Sequence, residues 1–367
     1  MRLREGPPDF VLFMVTVILV CIGLIMVFSA SAVTSSARYD DAYYFAKKQV
    51  IWAVISFLGL ALAMRFRYEK LKDLGKPLIL LAIFFLIVVR IPGIGHLVNG
   101  SYRNIALGPF NFTPSEFAKI CLVLFLSANL ARHYQVVRNF TTGLAPYLGL
   151  VGLLCGLIML QPDLGSALVI AGTGYCMLLV AGARFSHMGL LALVGVLLIV
   201  LAIQLEPYRA ARLMAFWDPW KYPANEGFQT IQSLYALGSG GLFGVGLGQS
   251  RQKFFYLPEQ HTDFIFAILG EELGLLGVLV VLSLFFVFAW RGFRIALKAP
   301  DTFGSLLSAG ITMMIIIQAV INLGVVSGAL PVTGIPLPFI SYGGSSLMFT
   351  LAAVGLLLNI SRYANAR

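Results

Sequence analysis

The chain has 367 residues, 59% of them hydrophobic and only 11% charged, with a mean hydropathy of +0.88. That balance excludes a soluble globular protein, whose surface needs more polar material. The formal charge of +10 invites a nucleic-acid reading, which the distribution of basic residues argues against. More than half of the 26 Lys and Arg lie at the two ends or in alternate short connections: Arg2, Arg4, Arg65, Arg67, Lys70, Lys72, Lys76, Arg132, Arg138, Arg184, Arg291, Arg294, Lys298, Arg362 and Arg367. This is the positive-inside pattern; it predicts both termini in the cytoplasm and no nucleic-acid partner.

Apolar runs long enough to cross a hydrocarbon core of roughly 30 Å recur along the chain. They predict ten helical spans, at 10–30, 47–64, 76–91, 114–132, 143–160, 164–182, 187–205, 264–290, 304–328 and 344–360. Continuous runs fit helices, not the alternating segments of a membrane barrel. The expected fold class is an all-α polytopic membrane protein forming a single transmembrane domain, residues 1–367. The Ala30-Ser31-Ala32 triplet resembles a signal cleavage site, but the run before it is too long for a signal segment, and nine more follow.

The first outward connection, 92–113, is rich in Gly, Pro and Asn. "TPSEFAKI" (113–120) then opens the fourth span with Glu116 and Lys119 at i, i+3, which puts opposite charges on one helix face. A structural bridge and a functional pair are equally compatible with that spacing. "QPDLGSAL" (161–168) places Pro162 and Asp163 between two spans, where Asp163 suits a helix N-cap as well as catalysis.

The connection 206–263 is by far the longest. "YRAARLMAFWDPW" (208–220) has Arg209 and Arg212 at helical spacing among Leu213, Phe216, Trp217 and Trp220, and predicts an amphipathic helix on the membrane surface. "EGFQTIQSLYALGSGG" (226–241) predicts a short helix stopped by glycines. "GSGGLFGVGLG" (238–248) lacks the flanking strand and helix of a nucleotide loop; flexible backbone at the membrane interface is the plainer reading, a backbone cradle for phosphate the sharper one.

Glu259, His261 and Asp263 stand at the edge of the eighth span, with Glu271 and Glu272 inside it. Carboxylates in hydrocarbon are costly and must face protein or a wet cavity. Asp263 can cap the helix or do chemistry. Glu116, Lys119, Asp263, Glu271 or Glu272 and the loop arginines are expected to cluster at one depth as an outward-facing polar site. "LPVTGIPLPFISYGG" (330–344) carries Pro331, Pro336 and Pro338 and cannot be regular helix. Cys21, Cys121, Cys155 and Cys176 all lie in spans, and His96, His133, His187 and His261 are scattered, so neither set has metal-ligand spacing. No internal repeat is visible.

These motifs resemble the SEDS (shape, elongation, division and sporulation) family, which contains the RodA, FtsW and SpoVE branches. The resemblance covers nearly the whole chain and is most specific over 227–277; "GVGLGQSRQKFFYLPE" is closer to the FtsW and SpoVE branches than to RodA. It implies a ten-helix bundle with a large extracytoplasmic loop between spans seven and eight. It also implies a peptidoglycan glycosyltransferase that polymerises lipid II on the outer face of the bacterial cytoplasmic membrane in division, elongation or sporulation. The family's essential acid maps onto Asp263, and its paired residues on span four onto Glu116 and Lys119. The family's N-G-[AS]-R-R-W-I reads here Asn99-Gly100-Ser101-Tyr102-Arg103-Asn104-Ile105, which leaves Arg103 as that loop's candidate; the Gln usual before P-S-E is Thr113.

Lipid II carries its sugar on a diphosphate, so the reaction needs a base for the acceptor hydroxyl and cations for the leaving group. Asp263 is the expected base; Lys119, Arg212 and Arg103, or a divalent cation (Mg or Mn), are the expected diphosphate partners. His261 and Gln232 complete the candidate substrate contacts. An Asp near its usual pKa of about 3.9 would have to be raised by burial to serve. The chain has no S-x-x-K or K-T-G elements, so cross-linking requires a partner, by resemblance a class B penicillin-binding protein. Two other classes stand against the enzyme: a lipid II flippase, which should offer polar residues on both sides and often repeats, and a scaffold that only activates its partner.

Overall fold

The computed structural model describes residues 6–98, 101–107, 110–133, 136–204, 207–254 and 256–364. Arg2, Arg4, Asn99, Gly100 and Arg367 lie outside the described residues, as does the side chain of Arg209. The helices are α1 (Phe10–Tyr39), α2 (Tyr44–Arg65), α3 (Leu71–Val88), α4 (Pro114–Arg132), α5 (Ala145–Met159), α6 (Leu164–Val180), α7 (Phe185–Gln204), α8 (Pro207–Trp217), α9 (Phe228–Ser239), α10 (Ile265–Lys298), α11 (Thr302–Val326) and α12 (Gly344–Ala364). Among the described residues, seven are long and apolar enough to cross a membrane: α1, α2, α4, α5 with its leading π turn, α10, α11 and α12. Of the other expected spans, α6 and the described part of α7 are shorter apolar helices, and α3 begins with Lys72, Asp73 and Lys76.

Helix ends follow local chemistry. Asp9 caps α1 by accepting from Leu12 N at 2.9 Å, and Pro114 starts α4 at a position where a missing N–H costs nothing. The amphipathic and glycine-stopped helices of the long connection appear as α8 and α9. Segment 330–343 stays free of helix, as its prolines require.

The core is built on α4, α11 and α12, the most buried helices; α2 packs along α12, α3 along α4, and α10 along α11 and α1. The outer faces are apolar and exposed, with Leu62, Leu80, Leu197 and Phe286 among them, a surface suited to lipid.

Two elements depart from the expected all-α bundle. Segment 92–113 contains an antiparallel meander, β1 (Gly95–Val98), β2 (Ser101–Leu107) and β3 (Phe110–Phe112), with Val98 opposite Ser101 and Ile105 opposite both Gly95 and Phe112. The turn-rich composition hid it, because strands this short carry little periodicity. Second, α10 is broken at Gly274 (φ 64°, ψ −165°). The backbone groups freed there pair with the glycine-rich segment. Val245 N donates to Glu271 O at 3.0 Å and Gly246 N to Glu272 O at 3.1 Å, while Leu275 N and Leu276 N donate to Gly241 O and Leu242 O at 2.9 and 3.2 Å. A Cβ at Gly240, Gly244 or Gly274 would lie 2.0, 2.1 or 2.3 Å from facing backbone. The glycines thus permit contact between two backbones; they are neither a loose interfacial loop nor a phosphate cradle.

Candidate active site

A cleft of about 890 Å³ opens among β2, the N-terminal ends of α4, α6 and α12, α8, and segments 258–263 and 331–336. Asp263, Arg103, Arg212, Glu116 and Asp163 all line it. The fold therefore brings together residues from five separate stretches of sequence.

Asp263 is placed by its backbone. Asn322 of α11, itself buried, donates from Nδ2 to Asp263 O at 2.7 Å and to Ile335 O at 2.9 Å. Ser341 Oγ donates to Thr262 O at 2.6 Å, and Tyr342 N donates to His261 O at 2.9 Å. The proline-rich segment is thus stitched along 261–263. Gly334 (φ 74°) faces the carboxylate; a Cβ there would come 3.6 Å from Asp263 Oδ2. Asp263 does not cap α10, whose N-cap is Phe264 with no side-chain capping bond, so the structural explanation of this acid falls away.

Protein surrounding the carboxylate raises its pKa from the ordinary 3.8 to about 7. Loss of hydration is the largest cause, followed by the charges of Glu259 and Asp163; Arg103 and Arg212 pull in the opposite direction. Such a group is poised to take up a proton near neutrality.

Arg103, on β2, donates Nε to Ser101 Oγ and Gln161 O at 3.0 and 3.1 Å, and Nη2 to Pro162 O. The sheet thereby holds the guanidinium against the α5–α6 connection. Asp163 caps α6, accepting from Ser166 N at 3.0 Å, and lines the cleft as well. Arg212 reaches from α8 to Val332 O at 3.2 Å.

Other expected residues lie elsewhere. Lys119 is buried behind Glu116, donating to Glu116 Oε1 at 2.8 Å and Gln318 Oε1 at 2.6 Å, and it does not line the cleft. Gln318 Nε2 continues to Pro336 O at 2.9 Å, so the Glu116–Lys119 pair braces the proline-rich wall. The His261 ring packs between Phe45 and Tyr342, with centroids 4.7 and 5.6 Å away, and burial lowers its pKa. Gln232 is half-buried off the cleft; Gln229, one turn earlier on α9, lines it instead. Glu271 and Glu272 are buried away from the cleft in a network of their own. The expectation that all these acids share one site is therefore corrected: intrahelical spacing fixes a face but not which neighbour covers it. Ser101, Asn104, Thr113, Gln229 and Ser345 join the cleft wall without a distinguishing sequence signal. Among the described residues no three or more of His, Cys, Asp and Glu converge as a metal cage.

The fold and cleft define a polytopic helical membrane protein with a polar site at the mouth of its bundle. Residues 9–366 match the family described as "Cell cycle protein", FtsW/RodA/SpoVE, and the chain belongs to that family. It is 49% identical over 364 residues to stage V sporulation protein E of Bacillus subtilis, covering 99% of this chain and 100% of that one. It is 43% identical to the probable peptidoglycan glycosyltransferase FtsW of Geobacter sp. strain M18, covering 98% of each. Among solved structures, a chain of a peptidoglycan synthase complex that coordinates polymerization and crosslinking superposes with a TM-score of 0.80 at 32% identity, covering 97% and 98%. The rod shape determining protein RodA of Thermus thermophilus gives 0.73 at 30% identity, covering 97% of each.

Proposed function

We propose that this protein is a peptidoglycan glycosyltransferase that polymerises lipid II, with Asp263 as its general base. One observation carries the assignment of the base: a carboxylate with a pKa near 7 lines a cleft shared with two guanidinium groups. In the proposed step the acceptor sugar's 4-hydroxyl attacks the donor anomeric carbon, and its proton passes to Asp263. The new C–O bond forms as the bond to the diphosphate breaks, with inversion at that carbon. The leaving diphosphate takes the electron pair, and Arg103 and Arg212 stabilise its charge. Lys119 serves through Glu116 and Gln318 rather than by touching phosphate.

The chain is read as one domain crossing the bacterial cytoplasmic membrane ten times, with both termini inside and the cleft outside. The similarity to a subunit of a peptidoglycan synthase complex supports a class B penicillin-binding protein as its cross-linking partner. The basic residues of the short connections support the orientation.

Purified protein and its Asp263→Asn variant, each with and without the transpeptidase, test the reaction by the glycan ladders they make from lipid II. Ladders from the native chain and none from a folded variant are the expected result. Equal activity in both would remove Asp263 as the base and turn attention to Glu116. No polymer from either, even with the partner, would favour lipid transport.

A further inference from the structure

Two carboxylates in α10 have no part in the chemistry above, yet they are among the most enclosed charges in the molecule. Glu271 Oε1 accepts from Arg251 N at 2.9 Å, and its Oε2 from Ser250 Oγ at 2.5 Å. Glu272 Oε1 accepts from Lys253 Nζ at 3.1 Å and from Ser29 Oγ of α1 at 2.7 Å. The side chains of the Lys253–Glu272 pair are 5% and 0% exposed. Directly after them comes the break at Gly274, spliced to the glycine-rich segment.

This lock closes a loop on itself. The chain leaves the splice at Gly246, is held at 250–253 by the two glutamates, and returns to α10 through Asp263. The short helix between Asp263 and Gly274 is therefore fixed at both ends. The cleft's proline-rich wall holds its start, and the lock holds its end. A slip of one residue would rotate its side chains by about 100° and pull on Asp263, two residues before its start. Stability alone is a poor reason for such a pair, since a buried ion pair is commonly no better than apolar side chains of the same volume, whereas in some proteins a buried polar group fixes register.

We propose that Lys253, Glu271 and Glu272 are positioning residues for Asp263, holding the short helix in the one register that points the carboxylate into the cleft. This rests on Asp263 being the base. They contact neither substrate nor reacting atoms, so their removal is expected to lower kcat and leave the KM for lipid II unchanged.

The test measures kcat and KM of the full chain with its transpeptidase, alongside thermal melting in detergent. The variants are Lys253→Met, Glu272→Gln, the double variant of both, and Asp263→Asn. Each single change strands a buried polar partner and should lower kcat at least tenfold at unchanged KM, measured well below the melting temperature; misplacement of a reacting group by about 1 Å costs on the order of a hundredfold. The double variant keeps volume without stranding a charge, so it should regain the melting midpoint while kcat stays low; native kcat in it overturns the proposal. Folded single variants with native kcat, or with a loss confined to KM, would overturn the proposal. Should neither single variant fold, Lys253→Arg carries the test, because a bulkier cation in a filled site should shift the register while keeping the charge; native kcat in that variant overturns the proposal equally. Asp263→Asn separates the two ideas: if it polymerises, the base assignment fails, whereas if it is inactive while the lock variants are native, only the positioning role fails.

Discussion

Asp263 holds its proton more tightly than a surface aspartate because protein replaces the water around it and two carboxylates stand nearby. A base must be unprotonated, so the rate should rise with pH through a midpoint near 7 and level off above it. Replacing Glu259 by Gln removes a negative charge that raises the Asp263 pKa, so the acidic limb should move to lower pH. Replacing Arg212 by Gln should move it up. Steady-state rates from pH 5 to 9 in the three proteins check both signs; an unmoved limb in both variants would mean that another group governs it. The placement of Asp263 and Glu116 at one cleft was legible in the sequence, since each stands beside the start of a helix, whereas Arg103 was named only through the family resemblance. The places of Lys119, His261 and Gln232 were not legible. Lys119 shares a helical face with Glu116, but only the position of α11 shows that Gln318 covers it; the aromatic surroundings of His261 come from α2 and the segment before α12.

At the scale of the element, sequence periodicity recovered α8, α9 and most spans, because each presents one continuous pattern. It missed what depends on contact between distant segments. The sheet becomes visible only when Ser101 and Arg103 meet the α5–α6 connection, and the break in α10 only when another backbone arrives to pair with it. Gly244→Ala tests that pairing. With φ at 80° and a Cβ 2.1 Å from Glu272 O, the variant should lose about 3 kcal/mol or more of stability. A fluorescence melting curve in detergent reads this; an unchanged midpoint would show that the splice yields easily.

Across the whole molecule, the two ends of the chain are tied together. Asp9 accepts from Arg291 Nε at 2.9 Å and also from its Nη2, while Asp9 N donates to Ser361 Oγ at 2.9 Å. The start of α1, the far end of α10 and the last helix therefore meet at one clamp. Arg291→Met would leave Asp9 buried without its cation and should cost about 3 kcal/mol, seen as a lower melting midpoint with KM for lipid II unchanged. The proposed orientation sets this clamp opposite the cleft. In a background without the native cysteines, Trp217→Cys should label with a membrane-impermeant thiol reagent applied outside, and Arg67→Cys should not. Both side chains are exposed, so the reverse pattern would invert the topology.

The splice at Gly274 also constrains how this chain can evolve. Segment 247–262 runs between two fixed points, one at the glutamates and one at Asp263. An inserted residue there has to bulge outward without shifting either end, or it disturbs the splice or the cleft. Among the described residues, the connection between α8 and α9, at 218–227, is held by its own turns and by Trp220 against Tyr235, so it can drift in length without moving the cleft. Insertions tolerated by descendants of this sequence should therefore gather before α9 and stop short of the glycines.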